Sequence, residues 1–264
     1  KTETVEYLEP ICSGSTVKEI TEEYIVPDSM PDVSAVIESE SILTMRGKDT
    51  ENGAVLLSAS LSVSVVYAPE DTVCLQSLEI SVPADMRLDA PGADMDCRTV
   101  ARVRVRSLET RIVNSRKISI RAELETEAAC YRSTSMDLTR GMENAESAGC
   151  VHLREVTMDA MLISDVREKT FVVSDAYSFP GGCSGRERIL SKKMDILMED
   201  IQYVSGKAIF RGRIRTDMLL AALDSESAFS ARYGGSAESR ELCLPVRESG
   251  MVLPCGASCR YEFS

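Results

Sequence analysis

The stretch Val55 to Tyr67, VLLSASLSVSVVY, allows little except a strand. Leu57, Ala59, Leu61, Val63, Val65 and Tyr67 fall on one side at period two, and Ser58, Ser60, Ser62 and Ser64 fall on the other. A chain that alternates so strictly must bury one face of a sheet against a second layer. The pattern therefore predicts a mainly β protein, built as a sheet or sandwich.

The same pattern returns later in the chain. YIVP at Tyr24 to Pro27 is echoed by YSFP at Tyr177 to Pro180, 153 residues on. At that shift Leu57 lands on Phe210, Leu61 on Ile214, Val65 on Met218 and Tyr67 on Leu220, while the outward serines land on Arg211, Arg213, Arg215 and Asp217. Gly53 lands on Gly206, each just before its strand, where a turn needing positive φ favours glycine. Only four residues are identical between 24–67 and 177–220. Agreement in facing carries the match, because a slip of one residue would turn every side chain over. Further on, LEISVP at Leu78 to Pro83 corresponds to RELCLP at Arg240 to Pro245, now 162 residues apart, which puts the added length in the loop around Gly234 and Gly235.

The first copy continues with a hairpin, TVARVRVRSLETRIV and RKISIRAELETEAACY, turning at Asn114 and Ser115. No counterpart of that hairpin precedes Ser264, so the second unit is expected to be incomplete. The resulting division is a first unit over 1–131, a polar linker over 132–150 and a second unit over 151–264. A short helix is expected near the start of each unit, in the first with Asp28 or Ser29 as cap, Pro31 in the first turn, and Val33, Val36 and Ile37 at helical spacing.

Charge narrows the function. The chain carries 30 Lys and Arg against 42 Asp and Glu, a net charge of −12, which repels a polyphosphate backbone and argues against nucleic acid. No run of about 18 apolar residues suggests a membrane span. Nine cysteines, an odd number without any C-x-x-C pair, read as reduced thiols of a cytoplasmic protein. His152 is the one histidine, so a multi-histidine metal site is excluded and no nucleophile motif accompanies it. Cys255 and Cys259 lack further zinc ligands at matching spacing. Asp28 and Asp32 are better read as capping groups than as a cation site, which needs about six oxygens. No phosphate loop, dinucleotide fingerprint or EF-hand pattern occurs, and no cofactor is expected.

Two arginine rows remain, Arg102, Arg104 and Arg106 on one strand and Arg211, Arg213 and Arg215 on another, each spaced about 7 Å along its strand. Cross-strand pairing with glutamates such as Glu123 and Glu125 is one reading. Gripping an acidic partner is the other, and it makes Arg211, Arg213 and Arg215 the candidate partner-binding residues.

EEYIVPDSMPDVSAVIESESILT, followed by the glycine-led strand ending at Tyr67 and the RIVNSRKISIRAELE hairpin, resembles the SPOCS-domain family of spore-forming Firmicutes. The resemblance covers Glu22 to Tyr131 closely and Ser174 to Ser264 more loosely. Its most specific element is V-P-D-x-x-P-D at Val26 to Asp32, which the second copy replaces with FPGGCSG. The resemblance implies tandem SPOCS-like units followed elsewhere in such proteins by a LysM module. It also implies a non-enzymatic scaffold in spore coat and cortex assembly, docking coat or cortex morphogenetic proteins, including a coat-basement ATPase, in the mother-cell cytoplasm at the forespore surface. A carbohydrate-binding module for cell-wall or cortex glycan is the alternative, poorly supplied with aromatic platforms because the chain has no Trp. A hydrolase using paired acids is a third reading, without a pocket-forming acidic pair to support it.

Overall fold

Nine strands account for most of the described residues. The computed structural model describes residues 2–71, 75–139, 161–168, 187–204, 207–222 and 238–252. In chain order the strands are β1 (Thr2–Ile25), β2 (Val33–Glu51), β3 (Ala54–Pro69), β4 (Gln76–Asp89), β5 (Arg98–Asn114), β6 (Lys117–Thr139), β7 (Glu187–Val204), β8 (Lys207–Ala222) and β9 (Glu238–Val252). They form three antiparallel sheets of three, ordered β1-β6-β5, β2-β3-β4 and β7-β8-β9. The β-protein expectation holds.

The first two sheets make a sandwich. From β3 the inward residues Leu57, Leu61, Val63, Val65 and Tyr67 are buried, and from β6 so are Ile118, Ile120, Ala122 and Leu124, all in one cluster with Leu78, Ile80 and Val82 of β4. Along one side the sheets approach through β2 and β5, where Thr50 Oγ1 and Thr99 Oγ1 share a hydrogen bond of 2.7 Å and Lys48 Nζ donates to the Thr99 carbonyl. Gly53 turns β2 into β3 at φ 80°, as its position before the alternating strand requires. Its N–H donates to the Ala93 carbonyl and its carbonyl accepts from Ala90 N–H, tying the hairpin to the β4–β5 turn.

The helix expected in the first unit is absent, and the start of the second unit, over 169–186, lies outside the described residues. Val33 opens β2, and residues 33–51 are strand. The misleading spacing has a physical origin in two register shifts, between Val33 and Ala35 and between Val36 and Glu38. Each bulge adds a residue, so Val33 and Val36, three apart, both reach the core. Ile37 is about half exposed.

Asp28 and Asp32 therefore cap nothing. Together with the carbonyls of Val26 and Met30 they surround Arg116 from the β5–β6 turn, whose guanidinium donates to Met30 O at 2.7 Å, Val26 O at 2.9 Å, Asp32 Oδ1 at 2.9 Å and Asp28 Oδ1 at 3.2 Å. Ser115 Oγ donates to Asp32 Oδ2 at 3.0 Å, and Tyr67 OH donates to Pro31 O at 3.2 Å. Burial pushes the Tyr67 phenol above its ordinary value. The V-P-D-x-x-P-D element is a strap across the end of the sandwich, fastened by one arginine.

β6 runs on through Thr139 against the first residues of β1, so Arg132 to Thr139 are strand where a linker was expected. A polar sequence without alternation suits an outer ladder that has no core to face. The rest of that segment, His152, the FPGGCSG stretch, Gly206, and Cys255 with Cys259 lie outside the described residues.

The third sheet reproduces the second strand for strand. At 153 residues' distance β2 and β3 fall on β7 and β8, and β4 falls on β9 at 162. The ladders agree as well, since Leu57 faces Lys48 and Met86 while Phe210 faces Ile201 and Glu248. Two of the three bulges of β2 recur at corresponding places, between Ile189 and Ser191 and between Met198 and Asp200, matching Val36/Glu38 and Met45/Gly47, while the β8–β9 ladder has a shift of its own between Ala208 and Ile209. Depth differs: Leu57 is fully buried, whereas Phe210 is half-buried and Ile189, Met194 and Ile196 are about half exposed.

Leu61 has no solvent exposure. Leu61→Ala is expected to lower the unfolding free energy by about 2–5 kcal/mol in urea denaturation. Arg116→Lys should lose about 2 kcal/mol in the same assay, because an ammonium cannot reproduce the forked contacts to two carbonyls and two carboxylates.

Candidate functional site

The candidate surface is the outward face of the third sheet. Residues 211, 213, 215 and 217 of β8 share that face with 219 and 221, by the alternation of the strand. Leu219 and Ala221 join Leu190, Leu75 and Val66 in a small apolar cluster, so the far end of this face is pressed against the outer face of β3. From that contact the arginine row runs outward along the strand.

Arg211 and Arg213 are exposed and Arg215 is half-buried. Their ladder neighbours on β7 are Asp200, Leu197 and Asp195, and those on β9 are Arg247, Pro245 and Cys243. Arg213 is ion-paired with Glu199, the bulged residue of β7, and Arg215 Nη2 bonds Asp217 Oδ2 at 3.1 Å. Acidic groups thus answer part of the row while the outermost guanidinium groups stay at the solvent boundary. Exposed ion pairs of this kind contribute about 0–1 kcal/mol.

The other arginine row is a different case. Arg102 bonds Glu127 at 2.6 Å, and Arg104 bonds Glu125 at 2.8 Å, each across the β5–β6 ladder. Arg106 lies 3.9 Å from Glu125. The hydrogen bond and charge of Glu125 hold the Arg104 guanidinium above its ordinary value. The three arginines of this row share two acids, Glu125 and Glu127, as the cross-strand pairing reading had it for Glu125; Glu123 stands opposite Ser107 instead.

At the junction between the second and third sheets lies a cleft of about 360 Å³, lined by Ser64, Ser77, Glu79, Arg188, Leu190 and Lys192. Arg188 reaches Gln76 Oε1 at 3.1 Å and Ser77 Oγ at 3.3 Å, Ser64 Oγ donates to Leu190 O at 3.2 Å, and Lys192 stands 4.0 Å from Glu79. These residues come from β3, β4 and β7, and no local pattern marks them. The one legible sign was Val66, an apolar residue on the serine side of β3, which proves to be fully buried.

Among the described residues no helix is long and apolar enough to cross a membrane. No protein-family model, no curated protein and no solved structure matches the chain.

Arg211, Arg213 and Arg215 stand where the second sheet carries Ser58, Ser60 and Ser62, and that serine row sits on a stable strand. Replacing the three arginines with serine should leave the far-ultraviolet circular dichroism spectrum unchanged and shift Tm by no more than a few degrees.

Proposed function

We propose that this chain is a non-catalytic protein-binding scaffold made of two SPOCS-like units, acting in assembly of the spore coat and cortex from the mother-cell cytoplasm. The observation that supports the tandem reading is the register that β2-β3-β4 and β7-β8-β9 share over most of their length, with two bulges in common. Two units that keep one inward pattern and differ outside, serines on one and arginines on the other, suit docking of different surfaces side by side. Joining two weak contacts in one chain raises the effective concentration of the second. The spore-envelope setting rests on the sequence resemblance of Glu22 to Tyr131.

Within this reading the arginine row of β8 binds an acidic patch on a coat or cortex morphogenetic protein, with the coat-basement ATPase as one such partner. Charge pairing of that kind acts chiefly on association rate and partner choice, and it weakens with salt.

The test pairs two captures. The purified chain immobilised on resin is offered coat morphogenetic proteins one at a time, and separately insoluble cortex glycan. Retention of a coat protein, lost when Arg211, Arg213 and Arg215 are all changed to serine and reduced by added salt, is the expected result. Retention by glycan alone would replace this reading with a carbohydrate-binding module. Binding of the coat protein that is indifferent to the triple variant would move the docking surface off β8.

A further inference from the structure

Three thiols distant in sequence meet at the end of the sandwich that carries Gly53 and the β4–β5 turn. Cys12 on β1 stands directly opposite Cys130 on β6, just after a register shift between Pro10 and Cys12. Cys130 is buried, and across its other side lies Thr99 of β5, whose Oγ1 donates to the Cys130 sulfur at 3.4 Å. Cys97 sits one residue before β5. All three are free thiols, and Cys12 and Cys97, both half-buried, pack on the core that contains Cys130.

Their surroundings set them apart from one another. Cys97 Sγ–H donates to Asp94 Oδ1 at 3.3 Å, and this bond is the first reason that the Asp94 carboxyl lies below its ordinary value. Arg132 fixes the same corner, donating to Asp94 Oδ2 at 2.7 Å and to Gly92 O at 2.8 Å. Cys97 is thus held toward the turn. Burial, followed by the neighbouring Cys130, pushes the Cys12 thiol up. No set of His, Cys, Asp and Glu among the described residues is placed to hold a metal ion, which leaves the pair to thiol chemistry.

Residues directly opposed in an antiparallel ladder have Cα atoms about 4.5–5.5 Å apart and side chains on the same face. A disulfide spans about 4.4–6.8 Å between Cα atoms. Cys12 and Cys130 are such a directly opposed pair.

We propose that Cys12 and Cys130 form an oxidative modification site, closing to a cross-strand disulfide when the chain meets a hydroperoxide. Cys12, the more accessible of the two, attacks one oxygen of hydrogen peroxide as its thiolate. An S–O bond forms, the O–O bond breaks, and the departing hydroxide takes up the proton lost from Cys12 to become water. Cys130 sulfur then attacks the sulfenic sulfur of Cys12; the S–S bond forms, the S–O bond breaks, and the second water leaves with the Cys130 proton. Two thiols and one peroxide become one disulfide and two waters. Because burial makes Cys12 favour the thiol, the reaction is slow, and the product is a lasting staple rather than a rapid signal. The staple ties the edge strand β1 to β6 and closes a loop running from Cys12 to Cys130, long enough to constrain the unfolded chain strongly.

The whole chain is treated with hydrogen peroxide under native conditions, remaining thiols are alkylated, and the digest is mapped by mass spectrometry without reduction. A peptide pair linking Cys12 to Cys130, lighter by two hydrogens, is expected in the wild type and equally in Cys97→Ser. Oxidation should raise Tm in both, reversibly with a dithiol reductant, and should leave Tm of Cys12→Ser unmoved. Alkylated Cys12 and Cys130 after other thiols have oxidised, or a link from Cys12 to Cys97, would overturn the proposal. The wild-type and Cys97→Ser maps decide it even where Cys12→Ser folds poorly.

Discussion

Everything in the first half of the molecule hangs on the dry layer between β3 and β6. Leu57, Leu61, Val63, Val65 and Tyr67 on one sheet share a single buried cluster with Ile118, Ile120, Ala122 and Leu124 on the other. Burial of side chains of this size contributes about 1.5–3 kcal/mol each, and alternation places each of them inward without spending backbone hydrogen bonds. The closures at either end of the sandwich follow from that layer. Arg116 gathers the strap over residues 26–32 at one end, and Arg132 gathers the turn over residues 92–97 at the other. Two guanidinium groups do the work of a cap where carbonyls and carboxylates converge and no strand is available to satisfy them.

Much of this was legible in the sequence because period two is a local signal. β3, the β5–β6 hairpin, the positive-φ glycine at 53 and the counterpart strand β8 all announce themselves within a few residues. The bulged start of β2 defeated the same logic, since an inserted residue turns a strand's spacing of two into the three and four of a helix. β1 gives a weak signal for another reason: as the edge strand of its sheet it alternates poorly, and its identity depends on a ladder with β6 that lies far off in the sequence.

The candidate surfaces divide along the same line. That Arg102 and Arg104 would be neutralised across the ladder was readable from the glutamates on β6, because hairpin partners are close in sequence. The pairing of Arg116 with Asp28 and Asp32, the cleft between β3 and β7, and the meeting of Cys12, Cys97 and Cys130 were not, since each joins parts of the chain that only the topology brings together. Nothing in the spacing of nine scattered cysteines singles out those three.

The duplicated bulges have an evolutionary implication. A bulge fixes the count of residues between the hairpin turn and the far end of a strand, so two ladders that conserve it stay in step whatever their solvent-side letters become. Serines at 58, 60 and 62 and arginines at 211, 213 and 215 occupy equivalent rungs of such a frame. The exterior is consequently a writable layer: side chains can change on one sheet while the other keeps its own, and neither revision has to renegotiate the interior.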